Sequence, residues 1–238
     1  MTFSVPVQLI EWLRTRTRNE TIDNHRVLVN LDWWNRQPET ASHSVTGTLD
    51  DGSLAVRGKA SISRGELFRL APGPEADPLQ FLWPVIAWGT GTRHRLNLRR
   101  IQAVYQDRAR AEKILRIAIR EASESARQGY LSMRGPRNTN ALKYVGPAFF
   151  TKLLYFAGAG NPDHPCLIVD ERVLATLKAT SCTDDRRFYY KYGYPVATYE
   201  AAVGVLQTWA TVASDELGRK VGADEVERWA FETSGRLV

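Results

Sequence analysis

The 238-residue sequence predicts a mostly α-helical protein with a small mixed α/β part at its amino end. Two observations carry that expectation. The hairpin signal falls within residues 1–78, where apolar and polar residues alternate around an Asp-Gly pair. From residue 79 to 238 the apolar residues recur at helical spacing, with Gly and Pro marking the breaks. We therefore expect a mixed α/β part over 1–78 and a helical core over 79–238.

Residues 4–15 (SVPVQLIEWLRT) read as an amphipathic helix with Val7, Ile10, Trp12 and Leu13 as its apolar positions. The basic run 15–18 (TRTR) either touches phosphate or faces solvent. Residues 25–34 (HRVLVNLDWW) have strand-like content and end in Trp33 and Trp34. Val45 and Leu49 before Asp51-Gly52, with Leu54 and Val56 after it, signal a hairpin. Ser63 can cap a short helix over 64–70. Residues 72–78 hold three prolines and form a loop. Residues 80–88 are apolar enough for a buried helix or strand, which Gly89-Thr90-Gly91 then breaks. That glycine pair lacks the later lysine and hydroxyl residue of a phosphate-cradling loop.

Residues 91–100 carry the densest basic cluster: Arg93, His94, Arg95, Arg99 and Arg100. A helix over 107–123 has Ile114, Leu115, Ala118 and Ile119 on one side. Lys113, Arg116 and Arg120 make a basic stripe on the other, either a solvated face or a DNA contact. Residues 127–137 read as a loop, 138–144 as two helical turns, Val145-Gly146-Pro147 as a tight turn and 148–157 as a second helix. The start of that helix offers free backbone N–H groups suited to a phosphate. After a Gly/Pro-rich break, an apolar run over 165–169 ends on Asp170. A helix over 172–179, a loop over 184–187 and the tyrosine-rich stretch 188–195 follow. The long helix 198–217 is expected to bury Ala202, Val205, Leu206, Trp209 and Val212. The last, 224–231, turns Val226, Trp229 and Ala230 inward.

Composition narrows the function. Apolar content of 43% and charged content of 24% suit a soluble globular protein, and no apolar run approaches the roughly 20 residues that span a bilayer. The net charge of +6 and pI near 9.4 favour an anionic partner such as nucleic acid. Two cysteines, Cys166 and Cys182, are too few for a disulfide framework or a metal cluster. His25, His43, His94 and His164 show no ligand spacing. No metal and no cofactor are expected. The amino end lacks a basic region followed by an apolar core, so a cytoplasmic location is expected.

The chemistry concentrates on two residues. Lys152 is the one charge between Val145 and Pro162, and its helical neighbours Ala148, Phe149, Tyr155 and Phe156 are apolar or aromatic. An amine in such surroundings loses hydration, its pKa falls and it becomes a usable nucleophile. Asp170 closes an apolar run just before a helix, where it either caps that helix or faces a cavity. Spacing alone leaves a structural ion pair and a catalytic couple both open.

Residues 144–176 resemble the helix-hairpin-helix DNA glycosylase superfamily. The Val145-Gly146-Pro147 turn, the lysine-bearing helix and the run PCLIVDERVLATL are similar to its hairpin, its following helix and its apolar approach to an aspartate. Lys152 within FFTKLLYFA, away from the hairpin glycine, is placed most like the lysine of the archaeal 8-oxoguanine glycosylase branch. The segments AWGTG and RGELF resemble a bacterial group with the 8-oxoguanine DNA glycosylase fold. The hairpin departs from the usual leucine-proline-glycine-variable-glycine pattern, and the iron–sulfur cysteines of some branches are missing.

The resemblance implies a helix-hairpin-helix DNA glycosylase fold and a monomer acting on double-stranded DNA that contains a modified base. It implies that Asp170 stabilises positive charge on the deoxyribose and that Lys152 attacks the anomeric carbon, with or without a later abasic-site lyase step. Val145, Gly146, Ala148 and Thr151 would meet the DNA backbone. The base would be 8-oxoguanine-like, or a hypermodified phage base such as glucosylated hydroxymethylcytosine in anti-phage defence. Trp33, Trp34 and Trp88 are candidates for the base pocket, with the tyrosines at 189, 190, 192 and 194; each could equally be core. A non-catalytic helix-hairpin-helix DNA-binding protein and a structural Lys–Asp pair are the rival readings.

Overall fold

The computed structural model describes residues 4–40, 42–73, 76–180, 186–190 and 192–236. Helices dominate it, and the strands lie in the first 63 residues. Helix α1 (Val7–Arg14) buries Leu9, Ile10 and Leu13. Val7, expected inward, is 68% exposed because the helix starts at that residue and its apolar stripe begins at Leu9. Strand β1 (Arg26–Asn30) stops earlier than expected: the Asn30 side chain accepts the Trp33 N–H at 3.1 Å and caps α2 (Leu31–Asn35). Trp33 and Trp34 are thus helical.

Strands β2 (Gly47–Thr48) and β3 (Leu54–Ala55) form the hairpin around Asp51-Gly52, with Gly52 at φ 85°. Strand β4 (Lys59–Ser63) completes an antiparallel sheet of order β1-β4-β2-β3. Ser63 then caps α3 (Arg64–Arg69) in a reciprocal box with Glu66. Three residues expected among the hairpin's alternating apolar positions, Leu49, Leu54 and Val56, are exposed, and only Val45 of the four is buried.

The apolar run after the proline loop is a helix, α4 (Pro78–Thr90). Asp77 caps it, accepting from Leu79 N at 2.8 Å, and Pro78 occupies the first position where no N–H is needed. Gly89 and Thr90 complete its last turn; the break comes at Gly91. Helix α5 (Asn97–Tyr105) follows, and Asp107 caps α6 (Arg108–Glu124). Helix α6 buries Ala111, Leu115, Ala118 and Ala122, with Ile114 and Ile119 at the edges of that stripe.

Two expectations next to the turn at 145–147 fail. Much of 127–137 is helix α7 (Ala126–Ser132) and not a loop. Gly129, which signalled a loop, lets α7 lie close on α6: a Cβ there would stand 3.0 Å from Ala122 Cα. Residues 138–144 are not helical. Arg134 and Asn140 form an isolated antiparallel bridge, and Arg137, Asn138 and Tyr144 all have positive φ. An irregular connection therefore precedes α8 (Pro147–Phe156), for which Gly146 is the cap residue.

A turn-rich connection leads from α8 to α9 (Glu171–Thr180), and α10 (Val196–Leu217) and α11 (Ala223–Thr233) close the chain. Val212 is exposed, because the buried stripe of α10 continues through Ala210 and Ala213. Helix α11 packs on α9, α10 and α1, which ties the two ends of the chain together. Cys182, Asp184 and Lys191 lie outside the described residues; Cys166 is buried. No described helix is long and apolar enough to cross a membrane.

Gly91 holds φ 58° and ψ −130°, a conformation that side chains with a Cβ rarely adopt. A Cβ there would also stand 3.3 Å from Val27 Cγ1 and 3.4 Å from the Leu28 carbonyl. Gly91→Ala should therefore lower stability by roughly 1–3 kcal/mol, read as a lower urea midpoint with an unchanged slope.

Candidate active site

Helix α8 starts where it does because Gly146 is extended and Pro147 has a helical φ in advance. One and a half turns later its Lys152 faces α4 across Gly89. A Cβ at Gly89 would stand 3.1 Å from Lys152 Cδ, so glycine lets the lysine stem lie close against α4. Lys152 is 7% exposed. Its Nζ donates to the Ala148 carbonyl at 2.6 Å and stands 3.8 Å from Asp170 Oδ2. Burial lowers the pKa of the amine, and the negative charges of Asp170 and Glu227 only partly restore it. Asp170 caps α9, accepting from Arg172 N at 3.0 Å and Val173 N at 3.2 Å through one oxygen. Its other oxygen is the one nearest Lys152.

Both side chains line a cavity of about 280 Å³. Trp88, Val27, Ile168 and Phe231 give it apolar walls, and His25, Arg64 and Glu227 add polar groups. Arg64 forks onto Glu227, with contacts of 2.9 and 3.4 Å. Arg64 also donates to Tyr155 Oη at 3.3 Å, and Tyr155 donates to Asp224 at 2.8 Å. Arg18 completes the chain with a two-pronged bond to Asp224. Burial pushes Glu227 upward while Arg64 holds it down. His25 is pushed down to about 2 by burial and by Arg64, so its ring is neutral at any ordinary pH. Arg64 Nε donates to His25 Nδ1 at 3.2 Å, which leaves the proton on Nε2. The Trp88 indole N–H has no partner among the described residues.

Outside this cavity, and sharing Gly89, Thr90 and Asp170 with it, runs a groove of about 730 Å³. Arg93, Arg95 and Leu96 from the α4–α5 turn line it, with Tyr144, Gly146 and Ala148 at the amino end of α8 and Tyr192 from the tyrosine-rich stretch. A third hollow, about 390 Å³ and polar, shares His25 with the cavity; Trp12, Arg16, Glu20, Arg228 and Glu232 line it.

The structure thus brings Lys152, Asp170 and Trp88 to one cavity, and Gly146 and Ala148 to the adjoining groove. Four other candidates lie elsewhere. Val145 is buried and its N–H is spent on the Leu142 carbonyl at 3.1 Å. Thr151 is fully buried; its hydroxyl donates to Pro147 O at 2.7 Å and accepts from Val169 N at 3.3 Å, joining α8 to the run before Asp170. Neither can touch a DNA backbone with its side chain. Trp34 is fully buried against Trp83, and Trp33 stacks on His94 with centroids 4.3 Å apart. Of the tyrosines, Tyr194 is core, donating to Val169 O at 2.7 Å, while Tyr189, Tyr190 and Tyr192 are exposed. Arg18 of the TRTR run is part-buried and paired with Asp224, so it is not free for phosphate. The α6 stripe lines a separate hollow against the proline loop, where Arg116 donates to Ala76 O at 2.7 Å.

Sequence reasoning missed His25, Arg64 and Glu227. Arg64 stands directly after a helix cap and Glu227 beside an apolar stripe, both positions where a charge is usually solvated. Among the described residues, no group of His, Cys, Asp and Glu could hold a metal ion.

A family model described as "Putative 8-oxoguanine DNA glycosylase OGG-like protein" matches residues 20–231. The chain belongs to that family. The membership supports a DNA glycosylase-type function and DNA as a partner. No curated protein and no solved structure matches the chain. The family match spans every residue of the cavity, from His25 to Phe231.

The depressed amine has a consequence for stability. Below its folded pKa, Lys152 is charged in both states and burial penalises the fold in full. As pH rises from there toward the unfolded value of about 10.4, the unfolded chain holds more protons and the penalty is relieved. Lys152→Met should therefore melt at a higher temperature than the natural protein at pH 7, and the gap should shrink at pH 9.5.

Proposed function

We propose that the protein is a DNA glycosylase of helix-hairpin-helix type, in which Lys152 and Asp170 act on a modified base turned out of duplex DNA. The observation that carries this reading is the approach of a desolvated amine to a carboxylate, 3.8 Å apart in a cavity with aromatic walls. A base must leave the stack to be reached, and its pocket needs π-faces and a few fixed polar groups. Trp88 supplies the face and an unpartnered N–H. His25 offers an Nε2 proton and Glu227 the acceptor.

The neutral Lys152 amine donates one proton to Ala148 O and keeps its lone pair for the anomeric carbon. The Nζ–C1′ bond forms as the C1′–N bond breaks and its electron pair leaves with the base, which takes up a proton. Transfer of a proton from Nζ to O4′ and opening of the C1′–O4′ bond, whose electron pair stays on O4′ as its hydroxyl forms, give a Schiff base, from which abasic-site strand cleavage can follow. Asp170 stabilises the positive charge that develops on the sugar. The free N–H groups of Gly146 and Ala148 hold a phosphate, helped by Arg93 and Arg95 in the groove.

A cavity of about 280 Å³ lies at the small end of ligand pockets, which run roughly 300–1,000 Å³, and suits one base such as 8-oxoguanine. The polar hollow beyond His25 favours a second reading. A base with a bulky hydroxylated substituent, such as glucosylated hydroxymethylcytosine, could place it against Trp12, Arg16 and Glu232.

Borohydride trapping on duplexes carrying 8-oxoguanine or glucosylated hydroxymethylcytosine tests both. A covalent adduct is expected with one of them and should vanish in Lys152→Gln. Asp170→Asn should slow base release by about 10²–10³-fold, the scale of losing one preorganised electrostatic partner. Base release without an adduct would make water the nucleophile; no release from any modified duplex would leave a DNA-binding protein without catalysis. Adduct formation should rise with pH and level off below the usual lysine value of about 10.4, as the depressed amine pKa requires.

A further inference from the structure

The tyrosine-rich stretch before α10 lies outside the cavity, and the reaction above makes no use of it. Phe188 and Tyr194 are buried and anchor it, and the Thr198 hydroxyl donates to the Arg187 carbonyl at 3.1 Å. Between those anchors Tyr189 is 50% exposed and Tyr190 43%. Two large rings side by side on a surface mark a place where a partner packs. They line a hollow of about 310 Å³ together with Arg172, Ala175 and Lys178 of α9. Lys178 Nζ stands 3.8 Å from the centre of the Tyr189 ring and fixes that ring in place. The Arg172 guanidinium lies 4.0 Å from the ring centre of Phe231, which is a wall of the cavity.

The hollow continues the groove. Glu171 lines both, and Asp170 just before it lines the groove and the cavity. Tyr192, at the far end of the stretch, lines the groove as well. From Asp170 to Lys178 is about 12 Å of helix, or roughly three nucleotide steps of a stacked strand. A strand leaving the cavity along α9 therefore reaches the tyrosines within a few nucleotides. Arg172 and Lys178 meet its charge there, against one carboxylate, Glu171. The surface chemistry of the hollow differs from that of the groove. Backbone N–H groups and arginines, as at Gly146, Ala148, Arg93 and Arg95, suit the phosphates of a duplex, whose base faces are hidden in the stack. Aromatic faces beside cations suit bases that have no stacked neighbour. We propose that Tyr189 and Tyr190, with Lys178 and Arg172, form a stacking platform for unpaired nucleotides, so that the protein binds DNA best where a single strand adjoins the duplex around the target base. This rests on the DNA glycosylase reading above, and adds the form of DNA on which the site is used.

The test is the binding of unreactive DNA by the whole protein. One probe is a blunt duplex with a tetrahydrofuran abasic analogue at its centre. Two others place the analogue about three base pairs from a thymidine tail, on its 5′ side in one and its 3′ side in the other. The natural protein should bind one tailed duplex about tenfold more tightly than the blunt one, the order of one stacked base. Tyr189→Ala combined with Tyr190→Ala should abolish that gain and leave blunt-duplex affinity unchanged, which shows that the fold is intact. Tyr189→Phe combined with Tyr190→Phe keeps the rings and should keep the gain. Equal affinity of the natural protein for tailed and blunt duplexes would overturn the platform alone. So would a gain that survives the alanine pair, which would place the strand elsewhere and leave the hollow to a protein partner. Equal weakening of all three probes by the alanine pair would overturn it by placing duplex DNA on the tyrosines, and loss of the gain in the phenylalanine pair would replace stacking by hydroxyl contacts. Failure of the natural protein to bind any probe would overturn the platform together with the reading it rests on.

Discussion

The arrangement depends most on the buried pair of Arg64 and Glu227. It joins the first turn of α3, near the start of the chain, to the last helix, and both side chains are almost wholly removed from water. Losing one partner of such a pair typically leaves an uncompensated charge worth roughly 3–5 kcal/mol. Tyr155, Asp224 and Arg18 extend it through α8 to the segment after α1. A hydrophobic core could have joined the same elements at less desolvation cost. What the ionic chain supplies in addition is a fixed polar wall on one side of a cavity whose other walls are Trp88, Ile168 and Phe231.

Lys152 exploits the same enclosure. Its amine is close enough to Asp170 for attraction, yet beyond hydrogen-bond distance, and its one bond runs to a backbone carbonyl of its own helix. Desolvation therefore wins over Coulomb attraction. Asp170 is secured separately, by the backbone N–H groups of α9, so it does not rely on the amine to stay in place. Gly89 in α4 lets the lysine side chain lie close against that helix. An amine held this way costs stability, a cost often met where a buried charge has a use beyond packing.

The groove shows strain of a different kind. Leu96 and Tyr144 hold left-handed conformations that their residue types disfavour, and Arg100, burdened by its own burial, bridges the carbonyls of Arg95 and Tyr144. Burial lowers the Arg100 guanidinium to about 10, so it stays charged near neutrality. The turn that carries Arg93, Arg95 and Leu96 is thus fastened to the sheet by Gly91, to α2 by Trp33, and to the connection before α8 by Arg100. The amino-terminal sheet contributes by bracing that turn as well as by supplying His25 and Val27 to the cavity.

Much of this was legible in the residues. Helical spacing located the long carboxyl-terminal helices, Asp51-Gly52 the hairpin, and Ser63 the cap of α3, because periodicity and capping are local properties. An amine and a carboxylate isolated in apolar sequence marked Lys152 and Asp170 for the same reason. Gly129 misled because a glycine reads alike whether it frees a loop or lets two helices touch. Trp33 and Trp34 misled because one asparagine cap ended the strand before them. His25, Arg64 and Glu227 were invisible because each looks solvated among its sequence neighbours. By itself, then, the sequence determined a helical protein with a basic surface and one desolvated lysine. Only the tertiary structure decided which charges the cavity encloses, since burial depends on partners far apart in the chain, 163 positions for Arg64 and Glu227.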